Sequence, residues 1–271
     1  MNTIIEQFAA GEIDFVLTSM NDPIFAYYGE HSFKQAYPFI RTVQIGSNQT
    51  WAIYVDDTVD VDTPEELAQW MPGKRYAYGF VNPLIDLYSR AAFANLGISV
   101  DQIKAVPITS YDDLIPTWNE NRIDATGGTI GAGVFQQLYP VRPFHFVSLD
   151  PSPEAEKRMQ EVEPSLYISQ QKAGPLAVNE DIYALTYDYG LVVHQDVSDA
   201  VVEEVLRVLW DHQEEIAELP NLELWTPGDE KWVSKQANVP YHPGAIKFYQ
   251  EKNLWTPEMD EKQEQWLNGK R

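Results

Sequence analysis

The sequence predicts an α/β protein whose sheets are largely parallel. Three observations lead to this fold class: β-rich runs alternate with amphipathic stretches, capping residues mark helix starts, and one helix-to-strand pattern occurs twice. Such alternation is typical of sheets covered by helices. The chain has 271 residues, of which 44% are hydrophobic, so it can form one large or two modest domains.

The predicted strands are short segments rich in β-branched and aromatic residues. They are Phe15–Thr18, Ile40–Ile45, Thr50–Val55, Arg75–Gly79, Ala105–Ile108, Ala125–Gly127, Phe144–Ser148 and the longer Tyr183–His194.

The predicted helices have clear starts. Thr63 and Glu66 form a capping box with proline at the first helical position. Further predicted helices are one from Asn82-Pro83 to about Leu96 that is stopped by Gly97, one capped by Ser110, Asp199–Leu219 capped by Ser198, and a last sizeable helix after His242-Pro243. We interpret His242 as a cap or as a surface histidine.

One pattern occurs twice, in the segments 11–16 and 121–126. Each segment ends a helix at Gly or Asn, includes an Ile and carries an Asp into a β-run. The repetition fits either two related lobes or chance, since such turns recur in α/β domains.

Composition excludes several classes of function. The net charge of −22, from 41 acidic and 19 basic residues, disfavours nucleic acid and anionic lipid surfaces as partners. The absence of cysteine excludes disulfides and thiolate chemistry. The sequence contains no apolar run of membrane-spanning length and no recognisable signal peptide.

Several motifs together resemble one family. The most specific is P-G-A-I-K-F-Y-Q-E at Pro243–Glu251. The others are A-G-E-I-D-F-V-L from Ala10, A-Y-Y-G-E from Ala26, P-E-E-L from Pro64, P-G-K-R from Pro72, A-N-L-G-I from Ala94 and D-V-S-D from Asp196. In this order, they resemble the TAXI-family solute-binding proteins of tripartite ATP-independent periplasmic (TRAP) transporters.

The resemblance implies a two-lobed, type II periplasmic-binding-protein-like fold with hinge crossover strands. An outer lobe would comprise residues 1–55 and 186–271, and a middle lobe residues 56–185. It also implies a non-enzymatic, monomeric receptor that binds a small organic solute, a carboxylate, between the lobes. This receptor would deliver the solute to a TRAP membrane subunit from a periplasmic or extracytoplasmic location. Family members carry a leader and first strands before the position of Asn2, so we expect the chain to lack these elements.

Open α/β lobes bind ligands at the carboxyl ends of strands, beside helix N-termini. The first such place follows Phe15–Leu17 and is the stretch 18–23, where Ser19, Met20 and Asn21 are candidate ligand-binding residues. The alternative is an ordinary helix start at which Asp22 is the N-cap.

The second place is the stretch 80–85, with Phe80 and Asn82 as candidates. The family commonly has a Gly-Ser-Gly-Thr-like turn here, which holds an acidic ligand. Pro83 removes an amide donor, and the two residues after it lack hydroxyls. This departure argues against a glutamate-like ligand and favours a larger, more apolar or aromatic organic acid.

The third place is the glycine-rich stretch 125–133. Its glycines permit close approach of a backbone, which suggests a ligand cradle, and the alternative is a flexible turn. The candidate residues are Thr126, Gly127, Gly128 and Thr129. On the last crossover, Tyr187 could form the floor of the site, although Tyr187 or Tyr189 could equally be core.

No catalytic residue, metal ligand or cofactor is predicted. The carboxylates of the segment 55–62 lack the glycine and the distal glutamate of an EF-hand loop, so a solvated edge is the preferred interpretation. Two alternatives stay open: an enzyme on the same scaffold, with Asp188 or Asp22 as the base, and a sensory or interaction module that has lost transport.

Overall fold

The computed structural model describes residues 2–218 and 232–270. Its strands are β1 (Phe15–Ser19), β2 (Ile40–Asp56), β3 (Arg75–Tyr78), β4 (Lys104–Pro107), β5 (Ala125–Thr129), β6 (Phe144–Phe146), β7 (Tyr167–Gln171) and β8 (Ile182–His194). Its helices are α1 (Asn2–Ala9), α2 (Asn21–Tyr28), α3 (Pro64–Trp70), α4 (Pro83–Asn95), α5 (Tyr111–Asn119), α6 (Phe135–Leu138), α7 (Pro153–Gln160), α8 (Asp199–Asp211), α9 (Gln213–Ala217), α10 (Pro243–Glu251) and α11 (Pro257–Leu267).

The chain divides into two compact units. The first unit contains Met1–Asn48 and Tyr187–Arg271, and the second contains Gln49–Thr186. Strands β2 and β8 each continue from one unit into the other. None of the helices among the described residues is both long enough and apolar enough to span a membrane.

The sheet of the first unit has the strand order β1-β8-β2. Strands β1 and β8 are antiparallel, with Phe15 opposite Val193 and Ser19 opposite Tyr189. Large aromatic side chains are buried in this unit, where they remove the most apolar surface from water. These side chains include Phe8, Trp232, Tyr241, Phe248, Tyr249 and Trp266.

Helices α8 and α10 meet closely in the first unit. A side chain at Gly244 would place its Cβ 2.5 Å from the carbonyl oxygen of Asp199, so only glycine fits at this contact. The Lys247 ammonium donates to both carboxylate oxygens of Glu203 at 2.8 Å. His242 caps α10 by accepting a hydrogen bond from the Gly244 amide at 3.1 Å. The capping prediction is therefore confirmed, but His242 is buried and is not a surface residue.

The sheet of the second unit combines antiparallel and parallel pairs. Strand β2 is antiparallel to β5 and β6, whereas β3 is parallel to both β4 and β5. The carboxyl ends of β3, β4 and β5 therefore lie at the same edge of the sheet. One face of this sheet carries an apolar cluster that includes Tyr54, Trp118, Phe135 and Phe144.

Most predicted helix starts are confirmed. The Thr63 capping box is present at α3, and Ser110 caps α5 through the amide of Asp113. Asn82 caps α4, and Gly97 after that helix has a φ of 71°. Ser198 occupies the N-cap position of α8. These are short-range features that the local sequence determines.

Five sequence-based expectations were wrong. The sheets are not largely parallel, because the pairs β1–β8, β2–β5, β2–β6 and β7–β8 are antiparallel, whereas β3 is parallel to β4 and β5. The segments 40–45 and 50–55 form one strand, because residues 46–49 continue it instead of turning. Strand β7 was not predicted. The segment 199–219 was expected to be one helix, but α8 ends at Asp211 and α9 follows; residue 219 lies outside the described residues. Helix α10 is not the last sizeable helix, because the longer α11 follows it.

Candidate functional site

The tip of β1 in the first unit carries the first group of candidate residues. Ser19 ends the strand, and the Met20 amide donates to the carbonyl oxygen of Asp188 on β8 at 2.9 Å. The Ser19 hydroxyl donates to the Asn21 side-chain oxygen at 3.3 Å. Ser19, Met20 and Asn21 are all buried. The structure therefore brings these three candidates together where β1 passes into α2.

Asp22 is the unusual residue at this tip. Its side chain is buried, at 5% exposure, and Oδ2 has no hydrogen-bond partner among the described residues. Burial raises the pKa of this carboxyl from 3.8 to about 7. The alternative interpretation of Asp22 as the N-cap was wrong, because α2 begins at Asn21 and Met20 occupies the N-cap position. Asp22 is thus inside the first helical turn, with an acid oxygen that helix capping does not use.

The β8 residues beside this tip differ in their exposure. Tyr187 is buried and Tyr189, which lies opposite Ser19, is half-buried. Burial raises the pKa of the Tyr189 phenol, and the charge of Asp22 raises it further, which places the two groups within electrostatic range. The Asp188 carboxylate accepts a hydrogen bond from the Ser234 hydroxyl at 3.3 Å. Asp188 is therefore engaged with the protein, whereas Asp22 Oδ2 is not.

The tip of β3 in the second unit carries the second group. Phe80 is buried, and the Asn82 side-chain oxygen accepts a hydrogen bond from the Leu84 amide at 3.1 Å. Asp86, in the first turn of α4, accepts hydrogen bonds from the Gly79 amide, at 3.0 Å to Oδ1 and 3.1 Å to Oδ2. Its Oδ1 also accepts from the Phe80 amide at 3.4 Å. The amides at the end of β3 are thus bound by a carboxylate of the protein itself.

Strand β5 carries the third group, which lies within the sheet and not in a turn. Gly127 and Gly128 stand opposite Ile53 and Ala52 in the ladder with β2. A Cβ at Gly127 would lie 1.9 Å from Cζ2 of Trp51, and one at Gly128 would lie 2.4 Å from Cζ of Phe135. Packing of these two rings therefore explains both glycines. The flexible-turn interpretation was wrong for residues 125–129, which form β5, whereas a turn follows from residue 130. A ligand cradle at these positions stays a prediction.

The threonines of β5 differ from each other. The Thr126 hydroxyl is buried and has no hydrogen-bond partner among the described residues. It stands opposite Tyr54, whose hydroxyl is also buried and unpartnered in the described part of the chain. Thr129 lies at the carboxyl end of the strand and is half-buried. Of the two, Thr129 is the one at the strand-tip edge where ligands bind in α/β sheets.

The carboxylates of the segment 55–62 make contacts within the protein. Asp56 accepts from the Arg142 guanidinium at 2.6 Å, and Asp57 lies 3.2 Å from Nδ1 of His145. The Nε2 of His145 lies 3.0 Å from the carbonyl oxygen of Val61. Among residues 2–218 and 232–270, no group of His, Cys, Asp and Glu side chains could hold a metal ion. These contacts anchor the segment to the second unit.

Sequence reasoning missed Asp86 and misjudged Asp22. Asp86 follows a strand-ending glycine by seven positions, and an acidic residue in a first helical turn is commonly explained by the helix dipole alone. Asp22 was recognised as a polar residue at a strand tip, but its burial comes from packing that the local sequence does not show. In both cases, the state of the carboxyl group depends on contacts that the local sequence does not show.

Comparison with known proteins identifies the family. The profile of the NMT1-like family matches residues 2–252. The chain belongs to the NMT1-like family. The narrower assignment to the TAXI family stays a prediction. No match was found among curated protein sequences.

Solved structures similar to this NMT1-like chain include periplasmic binding proteins. The sulfonate-binding protein SsuA from Methylobacillus flagellatus KT is 12% identical with a TM-score of 0.50, over 97% of this chain and 78% of that one. The aliphatic sulphonate-binding protein SsuA from Escherichia coli is 14% identical with a TM-score of 0.43, over 98% and 72%. A TctC solute-binding protein from Polaromonas is 13% identical with a TM-score of 0.45, over 94% and 76%. The similarity to the first structure confirms the predicted α/β, two-lobed periplasmic-binding-protein fold.

Proposed function

We propose that the protein is a non-enzymatic receptor that binds a small organic solute and presents it to a membrane transporter. Asp22 is the observation that carries this proposal. An acid oxygen that is buried without a partner costs stability, so such groups are found where a ligand supplies the partner. Membership of the NMT1-like family and the binding-protein fold support the same role.

The solute is proposed to contact the strand tips of each unit. In the first unit the contacts come from Ser19, Asn21 and Asp22, with Met20 and Tyr187 as apolar walls. In the second unit they come from Phe80, Asn82, Thr126, Thr129 and the backbone at Gly127 and Gly128. The binding position between two lobes stays a prediction from the family resemblance.

The proposed setting is the periplasm or another extracytoplasmic compartment, where the protein acts as a monomer. The resemblance to the TAXI family supports a TRAP membrane subunit as the partner and an organic acid as the solute. SsuA, the similar solved structure, is named as part of an ABC transporter. Binding of the purified receptor to vesicles that contain either type of membrane subunit distinguishes the two partners.

A thermal-shift screen tests the receptor function. The folded protein is heated with a library of organic acids, amines, neutral metabolites and short peptides, and hits are titrated by calorimetry. We expect at least one solute to raise the melting temperature saturably. We also expect Asp22→Asn to weaken its binding about tenfold or more, because the carboxyl is proposed to accept a hydrogen bond from it.

Asp14→Asn is the matched control for that experiment. Asp14 lies just before β1 in the same unit and is exposed, so its substitution removes a similar charge without touching the buried tip. Affinity should be unchanged in this variant. If the folded protein binds no member of a broad library, or if both variants bind equally well, the proposal is wrong.

A second candidate function is an enzyme that uses Asp22 as a general base. It is favoured by the pKa of about 7, because efficient acid–base catalysts titrate near the working pH. Incubation of the protein with each solute that it binds, followed by proton NMR, separates the two functions. A receptor returns the solute unchanged, whereas an enzyme consumes it and loses this activity in Asp22→Asn.

A further inference from the structure

Amide donors at the end of β3 have an unusual partner. The Gly79 amide lies 3.0 and 3.1 Å from the two oxygens of Asp86, and the Phe80 amide lies 3.4 Å from Oδ1. Gly79 has a φ of 94°, a backbone conformation that residues other than glycine rarely adopt. This turn directs both amides at a single carboxylate, and Gly79 itself is exposed.

Backbone amides at the end of a strand, just before a helix, commonly bind anionic groups in α/β proteins. Phosphate, sulfate and carboxylate groups bind to backbone amides where a strand ends and a helix begins, because amides and helix dipole both favour negative charge. Here the strand is β3, the helix is α4, and the carboxyl group of Asp86 in the first turn already occupies the amides. Burial raises the pKa of Asp86, whereas the two amides and the charge of Arg90 favour its ionised form. An anionic solute would have to displace that carboxylate and would then lie beside its charge.

The neighbouring strand tip repeats this arrangement with side-chain donors. Asp113, in the first turn of α5, accepts hydrogen bonds from the hydroxyls of Thr109 and Ser110, the latter at 3.1 Å. The hydrogen bond from Thr109 and, to a smaller extent, the one from Ser110 lower the pKa of Asp113 and favour its ionised form. Strands β3 and β4 are parallel neighbours, so two carboxylates with engaged donors occupy one edge of the sheet.

We propose that Asp86 is a specificity-determining residue that excludes anionic groups from this edge of the second unit. The inference rests on the proposed receptor function and names its solute class: the part of the solute that meets this edge is uncharged or cationic. It narrows the organic-acid expectation, because a carboxylate of the solute would have to bind elsewhere. Asp86 takes the place that a carboxylate or sulfonate would fill.

The test follows the Gly79 and Phe80 amides by nitrogen–proton NMR during titration with sodium acetate and sodium methanesulfonate. Sodium chloride at equal ionic strength corrects for screening. In the wild-type protein we expect no saturable shift of either amide. In Asp86→Ser the two amides lose their carboxylate partner and can bind an added anion. We therefore expect a saturable shift of both amides, with an affinity for the anion at least about tenfold above any binding by the wild type.

Two further variants separate charge from position. Asp86→Glu keeps a carboxylate near the amides and should exclude the anions as the wild type does. Glu65→Gln removes an exposed charge from the first turn of α3, where no strand-tip amides are involved, and should also leave exclusion intact. A gain of anion binding in Glu65→Gln would attribute exclusion to net charge and would overturn the role of Asp86.

The outcomes also separate this inference from the receptor function. Saturable anion shifts of both amides in the wild type overturn the inference even if Asp86→Ser does not fold. A folded Asp86→Ser with no gain also overturns it. If the wild type binds an organic acid through these amides, the inference fails and the receptor function stands. If no solute binds but Asp86→Ser gains anion affinity, the receptor function fails and the role of Asp86 stands.

Discussion

The tips of β1 and β3 present the same side chain in opposite situations. Asp22 and Asp86 both lie in the first turn of the helix that follows a strand. Asp86 is half-buried and accepts hydrogen bonds from two backbone amides, whereas Asp22 is almost fully buried with one oxygen unpartnered. The carboxyl group of Asp86 thus already has hydrogen-bond donors from the protein, whereas one oxygen of Asp22 has none among the described residues.

The difference indicates where a solute can gain binding energy. A group whose hydrogen bonds are already made offers little to a ligand, because binding only exchanges one partner for another. A buried acid without a partner gains the full value of a new hydrogen bond. We therefore expect the tip of β1 to contribute affinity and the tip of β3 to contribute selectivity.

The largest expected effect is on the pH dependence of stability in Asp22→Asn. The folded protein holds this proton more tightly than the unfolded chain, so wild-type stability falls as the pH rises from 3.8 towards about 7. The asparagine side chain of the variant cannot ionise, so the variant does not lose this stability as the pH rises. Between about pH 4 and about pH 8, the free energy of unfolding of the variant should increase relative to that of the wild type by about 4 kcal/mol, since one pKa unit corresponds to roughly 1.4 kcal/mol.

Denaturant unfolding at both pH values measures this difference, and taking the difference cancels the constant cost of burying an amide. Asp14→Asn serves as the control, because it removes an exposed carboxylate from the same unit. A stability difference that is the same at both pH values would mean that Asp22 is not a buried titrating acid.

A smaller effect is expected for Asp86→Ala. Loss of the carboxylate leaves the Gly79 and Phe80 amides without this acceptor, so the free energy of unfolding should fall by about 1–3 kcal/mol. Glu65→Ala, an exposed first-turn residue of α3, should cost only about 0.5 kcal/mol, the size of a helix-dipole effect. Urea unfolding measures both variants. Equal losses of stability would mean that the hydrogen bonds of Asp86 to the two amides contribute no more than an ordinary acidic residue in a first helical turn.

The smallest effect concerns Asn82, which lies beside Asp86 at the same tip. Asn82→Ala removes the N-cap of α4 and should cost about 1 kcal/mol of stability. Ser110→Ala, which removes the N-cap of α5, should cost a similar amount. Titration of both variants with the solute found by the screen distinguishes a binding role from a capping role. The affinity for this solute should fall in Asn82→Ala and not in Ser110→Ala. Unchanged affinity in both variants would restrict Asn82 to its capping role.

The sequence predicts the fold class and the helix starts well, because these depend on residues close together in the chain. Thr63, Asn82 and Ser110 were all recognised as caps from neighbouring residues alone. The continuity of β2 was not predicted, since residues 46–49 have the composition of a turn and only pairing with distant strands keeps them extended.

The candidate site was less predictable for the same reason. Ser19 and Asn21 were chosen as candidates because they follow a recognisable strand, but the state of Asp22 depends on burial by distant segments. The glycines at 127 and 128 suggested a ligand cradle, and only the positions of Trp51 and Phe135 reveal their packing role. Asp86 was overlooked because its partners lie in the preceding turn and not in its own helix.

The most direct test of the central claim is a carbon NMR titration of the Asp22 carboxyl group in the solute-free protein. We expect a pKa of about 7 for this carboxyl, caused by burial without a compensating partner. A titration of Asp22 at or below the ordinary value of 3.8 would show that the carboxyl is already stabilised within the protein and would contradict its role as the uncommitted binding group.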